Sequence, residues 1–403
     1  METQTFLIQL VLILLAARFA GELVGFFQIP PVIGELLAGI LIGPSIFGFV
    51  ETNSTIQLLA QIGIILLLFE VGLETDLGRL KAAGVSAISV AFIGVLLPLG
   101  GGYLVGYYVF NLSLLVSLFI GCTLTATSIG ITLRVLKDLG RQSSPEAQII
   151  IGAAVLDDIL GIVLLSMLYE FSTSGQVDLW NAVKVVIFIT FFLLIAPIAA
   201  KYVAEVIRKW EASSKIPGLL PTAIVSLILL FAWIAHQAGA PELLGGFAAG
   251  LALSKASFAP FFTPKVSEEF CDRVEDQMRP IIQLFTPIFF VSVGLSLDLT
   301  QINWGSSFIW ALTGSLVLVA IFGKLLSGFF LIKKSFMEKL IIGTAMIPRG
   351  EVGLVFASIG MSTGVLGDGV HASLILIIVV TTLVPPLALR LMYPSNNLEI
   401  PTK

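Results

Sequence analysis

The sequence predicts an all-α polytopic membrane protein of about thirteen transmembrane helices. Three observations carry that expectation. Of the 403 residues 57% are hydrophobic and only 12% charged, against about 25% charged in an ordinary soluble domain. Apolar stretches near the roughly 20 residues that cross a hydrocarbon core recur from residue 4 to residue 393. When those stretches are counted in alternation, the Lys and Arg residues of the connections fall on one side.

Breaks formed by Pro, Gly and charge define the segments in order. The first, 4–21, follows Met1-Glu2 with no basic region before it and runs into Arg18 and Glu22, so it reads as a retained span and not a cleaved leader. The second, 30–49, opens on Pro30-Pro31, suited to a helix start. It carries Glu35 one turn inside, where the helix dipole favours an acid. Its Gly34, Gly39 and Gly43 form a small-residue face for internal packing or for a subunit interface. The third, 56–73, ends near Glu70 and Glu74, read as a solvated helix end ahead of an acidic mouth. Segments four to six are 85–109, 112–133 and 146–170; segments seven to ten are 182–207, 217–235, 239–257 and 279–297. The last three are 305–331, 337–362 and 370–392. His236 and His371, at segment ends, read as ordinary packing or exposure, and Cys122 and Cys271 as unpaired thiols.

The connections holding Arg79 and Lys81, then Arg134, Lys137 and Arg141, then Lys201, Arg208, Lys209 and Lys215, then Lys255, Lys265 and Arg273, then Lys333, Lys334 and Lys339, share one side. The other side receives Glu51, Glu170, Asp178, Asp298 and Asp368. By the positive-inside tendency the N-terminus is outside and the C-terminus cytoplasmic, as an odd number of spans requires.

Two segments do not read as continuous helices. In the fifth, Thr123, Thr125, Thr127, Ser128 and Thr132 crowd the stretch around Gly121 and Gly130 and supply oxygens to a break. In the twelfth, Pro348 and Gly350 sit mid-segment, where proline removes a donor and clashes with the preceding turn. Broken helices in corresponding places of two halves point to a secondary transporter. Segments 85–170 and 305–392 are the expected repeats, and three helices in each make the second copy inverted.

The sixth segment, IIIGAAVLDDILGIVLLSM, places Asp157 and Asp158 at mid-membrane depth. A charge at a helix centre costs roughly 2.5 to 3.5 kcal/mol on insertion scales and usually marks an ion path or a buried pair. Neighbouring helix residues point about 100 degrees apart, so the two acids have different partners. Lys324, deep in the eleventh segment beside Gly323, Ser327 and Gly328, is expected to pair with one of them. The other meets a cation and a proton in turn, because one carboxylate cannot hold both. A hard monovalent cation, sodium or lithium, is expected at Asp158, with oxygens from Thr127 and Ser128. Those hydroxyls alternatively satisfy the broken backbone. Arg349 and Glu351 in the second break stabilise the unwound segment or set the local potential.

The sequence shows no Cys/His cluster at ligand spacing, no phosphate-binding glycine loop and no basic nucleic-acid patch. No nucleophile-base set accompanies the acids, so an enzyme is not expected, nor is a cofactor. A channel remains as an alternative class, separable because its flux persists without proton counterflow. A helical anchor with structural charges is another, and it shows no cation dependence when either aspartate is replaced.

GELLAGILIGP at 34–44, TLTATSIG at 123–130, LDD at 156–158, GK at 323–324 and IPRGEVGL at 347–354, in that order, resemble the monovalent cation:proton antiporter-2 family. The resemblance covers essentially the whole chain. It implies the Na+/H+ antiporter fold, with two inverted repeats and crossed discontinuous helices. It implies a homodimer in the cell membrane, with a dimerisation or scaffold region of 4–73 and part of 182–297 and a core that moves in an elevator-like manner. On it, Asp158 is the cation-binding aspartate, Asp157 the lysine-paired one and Lys324 the core lysine. Double-aspartate members resemble electrogenic exchangers that export sodium using the inward proton gradient. A potassium/proton exchanger of the same fold is the alternative. Only NNLEIPTK follows the last segment, so no soluble regulatory domain is expected.

Overall fold

The computed structural model describes residues 3–393 except 28, 52, 76, 175–178, 214–217, 255–267 and 301, and every regular element among them is helical. Asp178, Lys215, Lys255 and Lys265, counted above toward the charge bias, lie outside the described residues, as does NNLEIPTK. The first helices are α1 (Thr3–Phe26), α2 (Pro31–Ile42), α3 (Ser54–Glu74), α4 (Leu77–Leu104), α5 (Leu114–Thr125), α6 (Ile129–Asp138) and α7 (Pro145–Ser174). A π-helical turn at Val105–Val109 continues α4. There follow α8 (Leu179–Ser213), α9 (Leu219–Gln237), α10 (Glu242–Leu253), α11 (Glu268–Leu295), α12 (Ser307–Phe329), α13 (Phe336–Ala345), α14 (Glu351–Ser362) and α15 (Asp368–Met392).

Ten helical spans among the described residues are long and apolar enough to cross a membrane, α5 and α6 together forming one; three shorter apolar helices lie at 31–42, 242–253 and 352–362. Together they occupy the thirteen expected segments. The second and ninth segments are shorter as helices than expected, because α2 ends before Gly43 and α10 begins after Pro241. Local chemistry sets several starts. Asn53, Ser113 and Ser306 accept from the backbone N–H three residues on, and Ser335 with Glu338 forms a capping box at α13.

The chain divides into two compact units. One comprises Met1–Thr52, Ala83–Leu179 and Phe290–Lys403 and holds both expected repeats. Its apolar core joins Phe119 and Leu124 of α5, Leu312 and Leu316 of α12, Phe356 of α14 and Leu374 of α15. Lipid is as apolar as these side chains, so close packing of helices holds them together and hydrophobic burial contributes little. Small residues permit it: a Cβ on Gly328 would lie 2.1 Å from the Lys339 carbonyl oxygen, and one on Gly343 2.2 Å from that of Leu325, so α12 and α13 touch backbone to backbone. The glycines of α2 are used within the chain, Gly34 against α1 and Gly39 and Gly43 against the end of α11, which settles their face as internal packing.

The other unit comprises Asn53–Ala82 and Trp180–Phe289. Within it α3 packs on α10, and α10 on α9. Glu70 is buried here, a correction to the solvated helix end expected for it: α3 is packed along its length, so its last turns do not reach water as an isolated helix end would. His236 is exposed and bonds Glu242 at 2.8 Å across the α9–α10 connection.

Candidate functional site

Both expected breaks are present, and they meet. The fifth segment unwinds at Ala126–Ser128 between α5 and α6, and the twelfth at 346–350 between α13 and α14. An open backbone inside a membrane must find its hydrogen bonds locally, and here each break supplies the other. The Ser128 N–H donates to the Pro348 carbonyl at 2.8 Å. Thr127 Oγ1 donates to Met346 O at 3.0 Å, and Thr132 Oγ1 to Ala345 O at 2.7 Å. Thr125 Oγ1 bonds the Cys122 carbonyl at 2.7 Å, and Thr382 of α15 donates to the Arg349 carbonyl. The threonine crowding read from the sequence is thus largely the means of satisfying two interrupted helices.

Arg349 is fully buried between the ends of α5 and α13. It donates from Nη1 to Ile347 O at 3.0 Å and from Nη2 to Leu124 O. Carbonyl-bearing helix ends carry partial negative charge, so the guanidinium neutralises that of α5 while bonding the open backbone of the second break and lying within electrostatic reach of Asp157. Glu351 opens α14 at the opposite lip of the break, and its side chain lies outside the described residues. Gly350 leaves room for a hydroxyl: a Cβ there would stand 2.8 Å from Ser128 Oγ.

Asp157 and Asp158 lie midway along α7, which packs against α5, α6, α13 and α14, and both side chains are buried. Lys324 Nζ bonds both Asp157 oxygens, at 3.0 and 3.2 Å. The two side chains are 0% and 1% exposed, which makes this an ion pair held away from water. Asp158 and Arg349 also lie within electrostatic reach of Lys324. Ser327 Oγ donates to the Lys324 carbonyl at 2.6 Å. The site therefore collects two acids, two basic side chains, two interrupted helices and the hydroxyls of Thr127 and Ser128 in one buried region.

The model for the sodium/hydrogen exchanger transmembrane family matches residues 10–392. The chain belongs to that family. This exchanger is 35% identical to the high-affinity Na+/H+ antiporter NhaS3 of Synechocystis, over 98% of this chain and 91% of that protein. It is 33% identical to the Na+/H+-K+ antiporter GerN of Bacillus cereus, over 97% of each. Its fold matches that of the sodium proton antiporter MjNhaP1 of Methanocaldococcus jannaschii with a TM-score of 0.69, at 20% identity, over 97% of this chain and 99% of that one. The exchanger family is a family of transporters, and this member is a multi-pass membrane protein.

Sequence reasoning missed three contributors to the site. Thr382 is signalled only by the Thr381-Thr382 pair in the apolar middle of α15, and Ser327 was noted as a neighbour of Lys324 and not as bonding its carbonyl. The Leu124 carbonyl, which receives Arg349, has no sequence signal because any residue carries one.

Proposed function

We propose that the exchanger moves sodium or lithium against protons by competition at Asp158. The observation that carries this reading is the Asp157-Lys324 pair beside Asp158 where two helix breaks meet. Lys324 commits its charge to Asp157, so the neighbouring carboxylate has the separate task of taking a cation or a proton. Thr127 and Ser128 supply oxygens on the α6 side, since a hydroxyl that donates to a carbonyl still accepts. Arg349 and Glu351 set the potential of the opposite lip. Protonation of Asp158 discharges the site and releases the ion. Loss of a proton from Lys324 when its pair opens makes the exchange electrogenic, and an inward proton gradient then drives sodium out.

The two breaks are carried across the membrane by an elevator-like movement of the repeats, in a homodimer set among lipids of the cell membrane. The N-terminus is outside and the C-terminus cytoplasmic, as the connection charges favour. Sodium is preferred over potassium as the first reading because the NhaS3 relative is named for sodium. The potassium in GerN's name keeps potassium/proton exchange as the second.

The test is internal pH in proteoliposomes holding the purified chain, followed after addition of sodium, lithium or potassium, with a potential-sensitive dye reporting charge movement. Alkalinisation or acidification specific to sodium and lithium, with a change of potential, is the expected result. Cation flux that persists without proton movement would replace the exchanger reading by a channel.

A further inference from the structure

Half-helix α6 begins at the site, with Thr127 and Ser128 just before it, and ends ten residues later in a second group of charges. There Arg134 Nε lies 3.1 Å from Asp138 Oδ1 on the same helix, and Arg134 Nη2 lies 3.7 Å from Glu35 Oε1 on α2. Glu35 is only 2% exposed. Arg18 of α1 adds a second positive charge within electrostatic reach of it. The Asp138 carboxylate lies against the backbone N–H of Val32. That amide belongs to the first turn of α2, whose N-cap position is Pro30 and makes no side-chain cap. A helix N-terminus carries partial positive charge and unsatisfied N–H groups, so Asp138 of α6 does for α2 what its own sequence does not.

Two contacts thus tie the far end of α6 to α2, a carboxylate on a helix N-terminus and a cross-helix ion pair, and the Arg134–Asp138 pair within α6 joins them. None touches the ion site, yet all act on the rigid half-helix that carries the Thr127-Ser128 lip. At about 1.5 Å per residue, α6 transmits a shift at Asp138 directly to Ser128. We propose that Arg134 and Asp138 are positioning residues of the exchange cycle, forming with Glu35 a clamp between α6 and α2 that holds one end state and opens once in every turnover. The inference rests on the proposed exchange with a moving pair of repeats.

The experiment combines Glu35→Cys with Arg134→Cys and joins the two thiols with a short, reducible bifunctional reagent in proteoliposomes, wild type alongside. Sodium-driven proton movement by wild type establishes the exchange itself; its absence there removes the parent reading, and the clamp with it. Given that activity, bridging of the double variant is expected to lower turnover at least tenfold and reduction to restore it, while each single-cysteine variant is indifferent to the reagent. A bridged protein that keeps its turnover, or a pair of cysteines that the reagent fails to bridge, would overturn the clamp. In a second arm without cross-linking, Arg134→Gln is expected to change kcat at least threefold with the apparent sodium KM held within twofold. Arg134→Lys is expected to return most of that change. A change confined to the amount of folded protein, with kcat per folded molecule unaltered and no rescue by lysine, would reduce the cluster to a structural tie and overturn the proposal.

Discussion

Replacing Lys324 by methionine is expected to destabilise the exchanger more than replacing both members of its ion pair. The ammonium and the Asp157 carboxylate are enclosed, with Nζ 3.0 and 3.2 Å from the two oxygens. Removing one partner of such a pair strands a buried charge and costs about 3 to 5 kcal/mol, whereas replacing both by apolar groups of similar volume is often neutral or stabilising. Arg349 stays within electrostatic reach of Asp157, which partly offsets the stranded charge and places the single variant near the lower figure, about 3 kcal/mol. Thermal unfolding of the purified protein in detergent, followed by tryptophan fluorescence, gives the comparison. The Lys324→Met variant is expected to melt several degrees below wild type, and the Asp157→Leu, Lys324→Met double variant to recover most of the difference. A single variant that melts with wild type, or a double variant no better than the single, would refute the reasoning that these two charges are held by one another.

Lys324→Gln is expected to lower the number of protons moved per cation, read from the membrane potential at which net flux reverses; an unchanged ratio would remove Lys324 from proton coupling. Arg349→Lys keeps the charge but loses the fork that reaches both the Leu124 and Ile347 carbonyls, so the melting temperature should fall by an amount corresponding to about 1 to 3 kcal/mol per stranded group. Gly328→Val introduces a Cβ 2.1 Å from the Lys339 carbonyl oxygen, which forces α12 from α13 and should reduce the yield of folded protein in size-exclusion chromatography. Cys122 and Cys271 are buried thiols, and a maleimide should label them in detergent-unfolded protein but at least tenfold more slowly in the folded chain.

The order of helices was legible because lipid imposes a single requirement on each span, and Pro, Gly and charge mark where it lapses. Pro348 with Gly350 located one break because they interrupt a helix directly, and the run Thr123 to Thr132 located the other because hydroxyl residues weaken a helix and supply oxygens to freed backbone. The partner of Lys324 followed from chemistry, since a buried ammonium demands a buried carboxylate, but its choice of Asp157 came from resemblance and is visible only in three dimensions. Contacts distant in sequence stayed hidden. Thr382 reaching the Arg349 carbonyl, and Asp138 lying at the N-terminus of α2, depend on which faces of separate helices meet, and no periodicity within either helix reports that. Glu70 was misread for the converse reason: an acid near a helix end suggests water, and only the packing around α3 shows it enclosed.

The most direct test of the account compares wild type with Asp158→Asn in proteoliposomes, measuring proton movement on addition of sodium after equal reconstitution of folded protein has been verified. Sodium-dependent proton movement is expected in wild type and its loss in the variant. Exchange retained by Asp158→Asn at a comparable rate and sodium dependence would contradict the assignment of Asp158 as the carboxylate for which the two ions compete.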